Sequence, residues 1–269
     1  MHEILDHLNE TAIVLDMGSG PGSFPDDATR ALVFRVDLRR PGKPPQRFTL
    51  ADATALPFST GTFDAVILTH SLEHFPNWKQ SVQEIGRVVK KGGAVYIAVP
   101  DASTITDRLY RKVLRERGGH VNLFADASEL TRSLSWLLGL PLTATRVLQS
   151  SLAFQNRHNT NIASVRPAMR FAGLPEPLLA LAIRILRIID KRRNSRLGVY
   201  GWAFFFGKTG EPVDITPRLN VCVRCGQGHP GQYLRALQLL RPTVLPWHKY
   251  HCPACGCDNW FVPETGTSA

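Results

Sequence analysis

Residues 13–22 read Ile13-Val14-Leu15-Asp16-Met17-Gly18-Ser19-Gly20-Pro21-Gly22: an apolar run, an acid within it, then three glycines at alternate positions. The run predicts a strand that enters a loop able to hold a nucleotide. Without a Cβ, Gly18 and Gly20 can take positive φ and let a ligand lie against the backbone, while the following turn offers free N–H groups to polar atoms. Asp16 falls at the carboxyl end of the strand, where open α/β sheets bind ligands, and its carboxylate can accept a hydrogen bond from a cationic or hydroxyl-bearing group. An ordinary tight turn after a core strand has the same local composition, so the downstream spacing decides.

Leu32-Val33-Phe34-Arg35-Val36-Asp37 is a second short strand ending in an acid. Nucleotide-binding α/β folds place a ribose-binding carboxylate at about this distance, which makes Asp37 the ribose candidate. Phe63-Asp64-Ala65-Val66-Ile67-Leu68-Thr69-His70 is a nearly continuous apolar run with a polar end, as expected of a parallel strand covered on both faces. Trp78, Val82, Ile85, Val88 and Val89 recur at helical spacing, and Lys90-Lys91-Gly92-Gly93 predicts the helix stop. Ala94 to Val99 is a further buried strand closed by Pro100. Strand, loop and helix alternate as in a doubly wound, mostly parallel sheet.

These segments (15–22 LDMGSGPG, 36–38 VDL, 51–58 ADATALPF, 63–75 FDAVILTHSLEHF and 84–100 EIGRVVKKGGAVYIAVP) resemble the successive motifs of class I S-adenosylmethionine-dependent methyltransferases. The likeness is to the broad small-molecule type with a Leu-Glu-His segment after the fourth strand, and it covers about residues 10–100. It implies a Rossmann-like core in which Asp16, Gly18, Ser19, Gly20 and Gly22 surround the methionine moiety and the turn beneath it. Asp37 would hold the ribose diol with Leu38 against the adenine; Asp52 and Ala53 match the position that meets the adenine edge. Thr69 and His70 match residues beside the sulfonium and the incoming acceptor. Glu73 and His74 belong to the same motif but fall in the next turn, which gives them a structural reading. The stretches 23–31 and 38–51 are short and carry Pro25, Pro41, Pro44 and Pro45, so the first two crossovers have room only for truncated helices.

The 269 residues, 43% hydrophobic and 20% charged, suffice for a full α/β domain and an additional module. Neither an apolar membrane span nor a signal-peptide pattern is visible, and the expected location is cytoplasmic, with a peripheral membrane contact open. Cys222-Val-Arg-Cys225-Gly and Cys252-Pro-Ala-Cys255-Gly form two knuckles separated by 26 residues. Paired knuckles of this kind predict a structural, four-sulfur Zn2+ ribbon over 211–269, against the alternative of disulfides or free thiols in a small core. Tyr233 to Leu240 has room for a helical turn, Cys257 is left over, and His229, His248 and His251 read as surface or supporting residues.

All of the formal +10 charge lies in 101–210, with 17 lysines and arginines against 7 acids, while the rest balances at 15 against 15. This basic segment, following the 1–100 core, reads as a helical insert serving as acceptor cap, with helices over 101–117 and 128–138. Gly118-Gly119-His120-Val121-Asn122-Leu123-Phe124 between them is similar to a histidine-bearing turn of related methyltransferases, and makes His120 either a base or orienting group or a hydrogen-bonded turn residue. Residues 174–193 form a basic amphipathic helix whose polar face carries Arg184, Arg187, Lys191, Arg192 and Arg193. Such a helix packs on its own domain, or meets an anionic membrane surface or a phosphate-bearing acceptor.

Methyl transfer is an in-line displacement that needs positioning and exclusion of water more than a strong base. The leading expectation is therefore transfer to a small-molecule, glycan or lipid-linked acceptor. An RNA methyltransferase gripping phosphates with its ribbon and basic surface is the second reading, and a non-catalytic binding module of an assembly the third. Against nucleic acid stand Thr69-His70-Ser71-Leu72 in place of an Asn/Asp-Pro-Pro-aromatic tetrapeptide, and the confinement of all five cysteines to the tail. The oligomeric state is not legible.

Overall fold

A computed structural model describes residues 1–24, 26–104, 107–108, 120–149, 175–193, 195–210, 212–216, 218–224, 226–243, 247–253 and 255–263. Most of the helix expected over 101–117, the Gly118-Gly119 pair and Cys225 lie outside the described residues. The chain divides into two compact units: one of residues 1–101, 120–146 and 202–215, the other of 102–119, 147–201 and 216–269. Residues 202–215 return to the first unit, and residues 176–193 share a unit with the cysteines.

The first unit carries a seven-stranded sheet of order β3-β2-β1-β4-β5-β7-β6. Its strands are β1 (Ile13–Met17), β2 (Leu32–Asp37), β3 (Phe48–Leu50), β4 (Phe63–Thr69), β5 (Val89–Pro100), β6 (Leu142–Leu148) and β7 (Gly201–Gly207). All pairings from β3 across to β5 are parallel. The continuous apolar runs are buried on both faces: Val14, Leu15, Ala65, Val66, Ile67, Leu68, Val95 and Ile97 are inaccessible to solvent. The first crossover reduces to a 3-10 turn, Asp26–Ala28, and no helix lies between β2 and β3 among the described residues, as the prolines require.

Helix α1 (His2–Leu5) precedes the sheet, and α2 (Trp78–Val88) covers it, burying Ser81, Val82, Ile85 and Val88. It ends at Val88, earlier than the lysine–glycine stop indicated. Val89 is drawn into the sheet opposite Phe63, and the Lys90 ammonium binds both oxygens of Asp64 at 2.8 and 2.9 Å. Asp64 also accepts the Ile13 N–H at 2.8 Å, so one carboxylate ties together the starts of β1, β4 and β5. Helix α3 (Ala127–Leu138) is capped by Asp126, whose carboxylate accepts the N–H groups of Ser128 and Glu129, and ends at Gly139 with φ 66°.

The second unit packs helix α4 (Glu176–Arg193) on small strands: β8 (Asn220–Val221) with β9 (Gly228–His229), and β10 (Leu240–Pro242), β11 (His248–His251) and β12 (Asp258–Trp260) in an antiparallel sheet, with α5 (Gly231–Ala236) between. Leu179, Ala180 and Ile183 of α4 are buried with Cys222, Val223, Cys252 and Cys257. The polar face expected of α4 is not wholly exposed. Arg184 and Arg187 are buried; Arg184 donates to the Phe261 carbonyl and lies 4.6 Å from the Trp247 ring centre, and Arg187 donates to the Gln149 carbonyl at 3.0 Å. Burial pushes the Arg187 guanidinium down to about 10. Two of the five cations assigned to a membrane or phosphate face are thus spent inside the unit, where a buried guanidinium needs carbonyl and aromatic partners. Among the described residues no helix is long and apolar enough to cross a membrane.

Gly86 of α2 allows a close helix approach, because a Cβ there would lie 2.8 Å from the Leu138 carbonyl oxygen at the end of α3. Alanine in a free helix gains about 1 kcal/mol over glycine, but this overlap reverses the sign. Gly86→Ala is expected to lose about 1–3 kcal/mol in urea denaturation.

Candidate functional site

The glycine loop is built from beneath. Asp16, fully buried, accepts the Ser23 N–H at 2.9 Å and the Ser23 hydroxyl at 2.6 Å, and lies 3.4 Å from the Arg35 Nε. Burial raises its pKa, with Ser23 and Arg35 acting in the opposite direction. The carboxylate that the sequence offered to a ligand is turned under the loop and holds its far end. Above it, Gly18 and Ser19 donate to the Val36 carbonyl at 2.8 and 3.1 Å, and Gly22 donates to the Ser19 carbonyl at 2.8 Å. Gly18 and Gly20 have φ of 65° and 50°. A Cβ on Gly18 would fall 2.5 Å from Ser71 Cβ, whereas one on Gly20 would meet nothing within 4 Å. The loop is closed at its base and open above Gly20.

Asp37 reaches back to this opening. Its Oδ2 accepts the Gly20 N–H at 2.9 Å and its Oδ1 accepts the Arg39 N–H at 2.9 Å, leaving each oxygen a further lone pair. Leu38 follows with 68% of its surface exposed, an apolar plate without cover. At the next strand end, Asp52 accepts the Thr54 N–H and hydroxyl, both at 2.8 Å, and these bonds hold its carboxyl below the usual range. Ala53 is half-buried. The segment is pinned to α2: Glu84 accepts the Leu56 N–H at 2.8 Å, and Arg87 donates to the carbonyls of Phe58 and Leu56 at 2.7 and 3.0 Å.

Thr69 and His70 stand at the tip of β4. The Thr69 Oγ1 and Ser19 Oγ are buried and have no hydrogen-bond partner among the described residues. His70 takes φ 52°, and its backbone N–H donates to the Ala98 carbonyl at 3.0 Å. Burial, with the neighbouring His120 and His74, pushes the His70 ring down to about 4, so it is neutral at physiological pH. The chain then turns through a 3-10 segment, Leu72–His74, and the histidine-bearing turn docks on it. Val121 and Asn122 donate to the Glu73 carbonyl at 2.9 and 3.0 Å, and the Asn122 amide donates to the Phe75 carbonyl at 2.7 Å. His120 is thereby brought to Glu73 and His74: both Nε2 atoms lie 4.0 Å from Glu73 Oε1, and the two rings are 5.1 Å apart. Sequence reasoning placed Glu73 and His74 in a supporting turn. The structure gathers them with His70 and His120 into one cluster, a gathering that only the contact of two segments remote in sequence creates.

The second unit's knuckles have a common form. Cys222 N–H donates to the Gln227 carbonyl and Gly226 N–H to the Cys222 carbonyl; Cys252 N–H donates to the Cys257 carbonyl and Gly256 N–H to the Cys252 carbonyl, all at 2.8–2.9 Å. Gly226 and Gly256 take φ of 74° and 70°, which is why glycine closes each turn. The sulfurs of Cys222, Cys252 and Cys255 lie within 4.8 Å of one another, and none of the described cysteines is disulfide-bonded. Arg224 N–H and the Asn259 amide donate to Cys222 Sγ at 3.4 and 3.5 Å. His229 is buried with Nε2 3.3 Å from Cys252 Sγ, which removes the surface alternative for it. Cys257 is buried in the same core, 3.4 Å from Glu176.

Comparison with known proteins gives three findings. Residues 1–142 match the model of a family described as a methyltransferase domain. Demethylmenaquinone methyltransferase of Renibacterium salmoninarum is 36% identical over 94 residues, covering 32% of this chain and 40% of that protein, and the Streptomyces avermitilis protein of the same name is 36% identical over 93 residues, covering 31% and 40%. The chain thus spans less than half the length of these curated relatives. Among solved structures, a chain from a complex of the Haloferax volcanii Trm112 methyltransferase activator superposes with TM-score 0.50 at 15% identity, over 75% of this chain and 84% of that one. That is a likeness of fold.

The glycine loop makes a graded prediction. Gly20→Ala should cost about 1–2 kcal/mol from the left-handed backbone alone, whereas Gly18→Ala adds the overlap with Ser71 and should cost about 3 kcal/mol or more. Chemical denaturation of the two variants checks the order.

Proposed function

The chain belongs to the methyltransferase domain family, and on that premise we propose that it transfers a methyl group from S-adenosylmethionine to a small organic acceptor. The observation that carries the reading is the convergence of the open glycine loop, the Asp37 carboxylate bound to Gly20, and the buried hydroxyls of Ser19 and Thr69, without partners among the described residues, at the carboxyl ends of β1, β2 and β4. A buried hydroxyl beside an open loop can exchange a hydrogen bond with a polar ligand or an ordered water. An adenosyl amino acid fits this donor set. Asp37 would take the ribose hydroxyls, Leu38 the adenine face, and Asp52 and Ala53 its edge. The amino-acid end would lie on the loop from Gly18 to Gly22, kept in shape by Asp16.

When bound, the cofactor supplies a methyl group on a positively charged sulfur. The work left to the chain is to hold an acceptor in line and keep water out. Thr69 and His70 stand where the acceptor would approach, with His120 behind them to orient it. The demethylmenaquinone relatives support a small organic acceptor over a nucleic acid. Calorimetric titration with S-adenosylmethionine is expected to show binding to the wild type, weakened roughly tenfold or more in Asp37→Ala through loss of a charge-assisted hydrogen-bond pair. Equal affinity would remove Asp37 from the site.

For the second unit the reading is a structural zinc held by Cys222, Cys225, Cys252 and Cys255. Three converging thiols, two knuckles of one form and N–H groups aimed at Cys222 Sγ support it, since such N–H donors suit a thiolate. A four-sulfur site is closed to substrate, so its part would be to fold a unit with a small core. Metal analysis should give about one zinc per chain, and Cys252→Ser should lower both zinc content and thermal stability.

A further inference from the structure

We propose that Glu73, His74 and His120 form a binding site for one divalent first-row transition-metal ion, set at the acceptor end of the methyl-transfer site. Each offers one ligand atom, and these atoms lie within 4.8 Å of one another, with Glu73 Oε1 4.0 Å from both imidazole Nε2 atoms. At 4.0 Å neither imidazole is hydrogen-bonded to that oxygen. A point equidistant from three atoms so spaced is roughly 2.5 Å from each, against about 2.0–2.2 Å for bonds from such ions to imidazole nitrogen or carboxylate oxygen. Small side-chain rotations close that difference.

The donor set indicates the kind of ion. One carboxylate and two imidazoles suit manganese, iron or zinc in the divalent state, and a set of three such ligands among the described residues is the donor number of catalytic rather than four-sulfur structural sites. The cluster in the second unit is its chemical opposite, all sulfur and closed. The scaffold is also prepared: the backbone bonds from Val121 and Asn122 to the Glu73 carbonyl, with the Asn122 amide on Phe75, fix the His120 segment against the Leu72–His74 turn before any ion binds. Glu73 is buried to 1% exposure while the His74 side chain is 38% exposed, so the cluster has an anchored side and a side open to a ligand.

An ion there would coordinate an acceptor oxygen and stabilise its deprotonated form, because a bound cation lowers the pKa of a coordinated hydroxyl. The acceptor class this selects is a small molecule with an ionisable hydroxyl, phenolic or enolic; that step rests on the methyl-transfer reading, whereas ion binding does not.

The test is Mn2+ binding to the full chain, followed by loss of the free-ion electron paramagnetic resonance signal, beside a calorimetric titration with S-adenosylmethionine. Manganese is chosen because thiolates disfavour it. The expected result is about one Mn2+ per chain in the wild type, bound at least roughly tenfold more weakly in Glu73→Gln and in His74→Gln. His74 is part-exposed, so His74→Gln keeps the test decisive even where Glu73→Gln fails to fold. Absence of Mn2+ binding at millimolar concentration, or equal binding in wild type and His74→Gln, would overturn the site. Mn2+ binding without S-adenosylmethionine binding would leave the site standing and sink the methyl-transfer reading instead.

Discussion

A carboxylate buried at the end of a strand must find partners, and in this protein the partners of Asp16 shape the site. Fully enclosed, it is satisfied by both donors of Ser23 and by proximity to Arg35, itself buried in β2 and donating to the Phe24 carbonyl at 3.0 Å. Losing either partner would leave a charge in a low-dielectric interior, at a cost of several kcal/mol. The network therefore fixes three things together: the return of the glycine loop, the position of β2 beside β1, and the compact turn that replaces the first crossover helix. Asp37, two residues beyond Arg35 on the same strand, inherits its place opposite Gly20 from that register.

Because the loop is braced from below, its upper surface needs no contacts of its own to keep its shape. A Cβ on Gly20 would meet open space, while one on Gly18 would collide with Ser71, whose hydroxyl donates to the Met17 carbonyl at 3.1 Å. The same few residues thus separate the closed side of the loop from its open side. Preorganisation of this kind spares a ligand the cost of ordering the backbone it binds.

The strands of the first unit were legible because a parallel strand covered on both faces writes itself as an uninterrupted apolar run, and β1, β2 and β4 follow theirs closely. The end of α2 was less so: Lys90, Lys91 and Gly92 carry the local signs of a helix stop, but sheet pairing of Val89 with Phe63 and the ion pair of Lys90 with Asp64 end the helix first. Helical periodicity likewise gave α4 an apolar face to bury, as Leu179, Ala180 and Ile183 are, but not the burial of two cations from its basic face. Arg184 and Arg187 go inward because Phe261, Trp247 and Gln149 supply carbonyls and a ring, a choice made by residues far along the chain. Glu73, His74 and His120 were each visible as residue types, but their convergence depends on Val121 and Asn122 binding the Glu73 carbonyl, which no spacing rule anticipates.

His70 shows what the tip of β4 is built to do. A histidine at φ 52° occupies the left-handed region, at a cost of roughly 1–2 kcal/mol that a glycine would avoid. The backbone conformation is needed because β4 must leave the sheet abruptly: its last bond, from His70 N–H to the Ala98 carbonyl, is followed at once by the 3-10 turn that carries Glu73 inward. Glycine would satisfy the backbone and remove the ring. That an imidazole stands there, neutral and flanked by His74 and His120, points to a demand on the side chain that the fold alone does not make. Strain at such a position is a reason to look for function where it is observed, and here it falls on the residue that follows β4 and neighbours His74 and His120 of the Glu73 cluster.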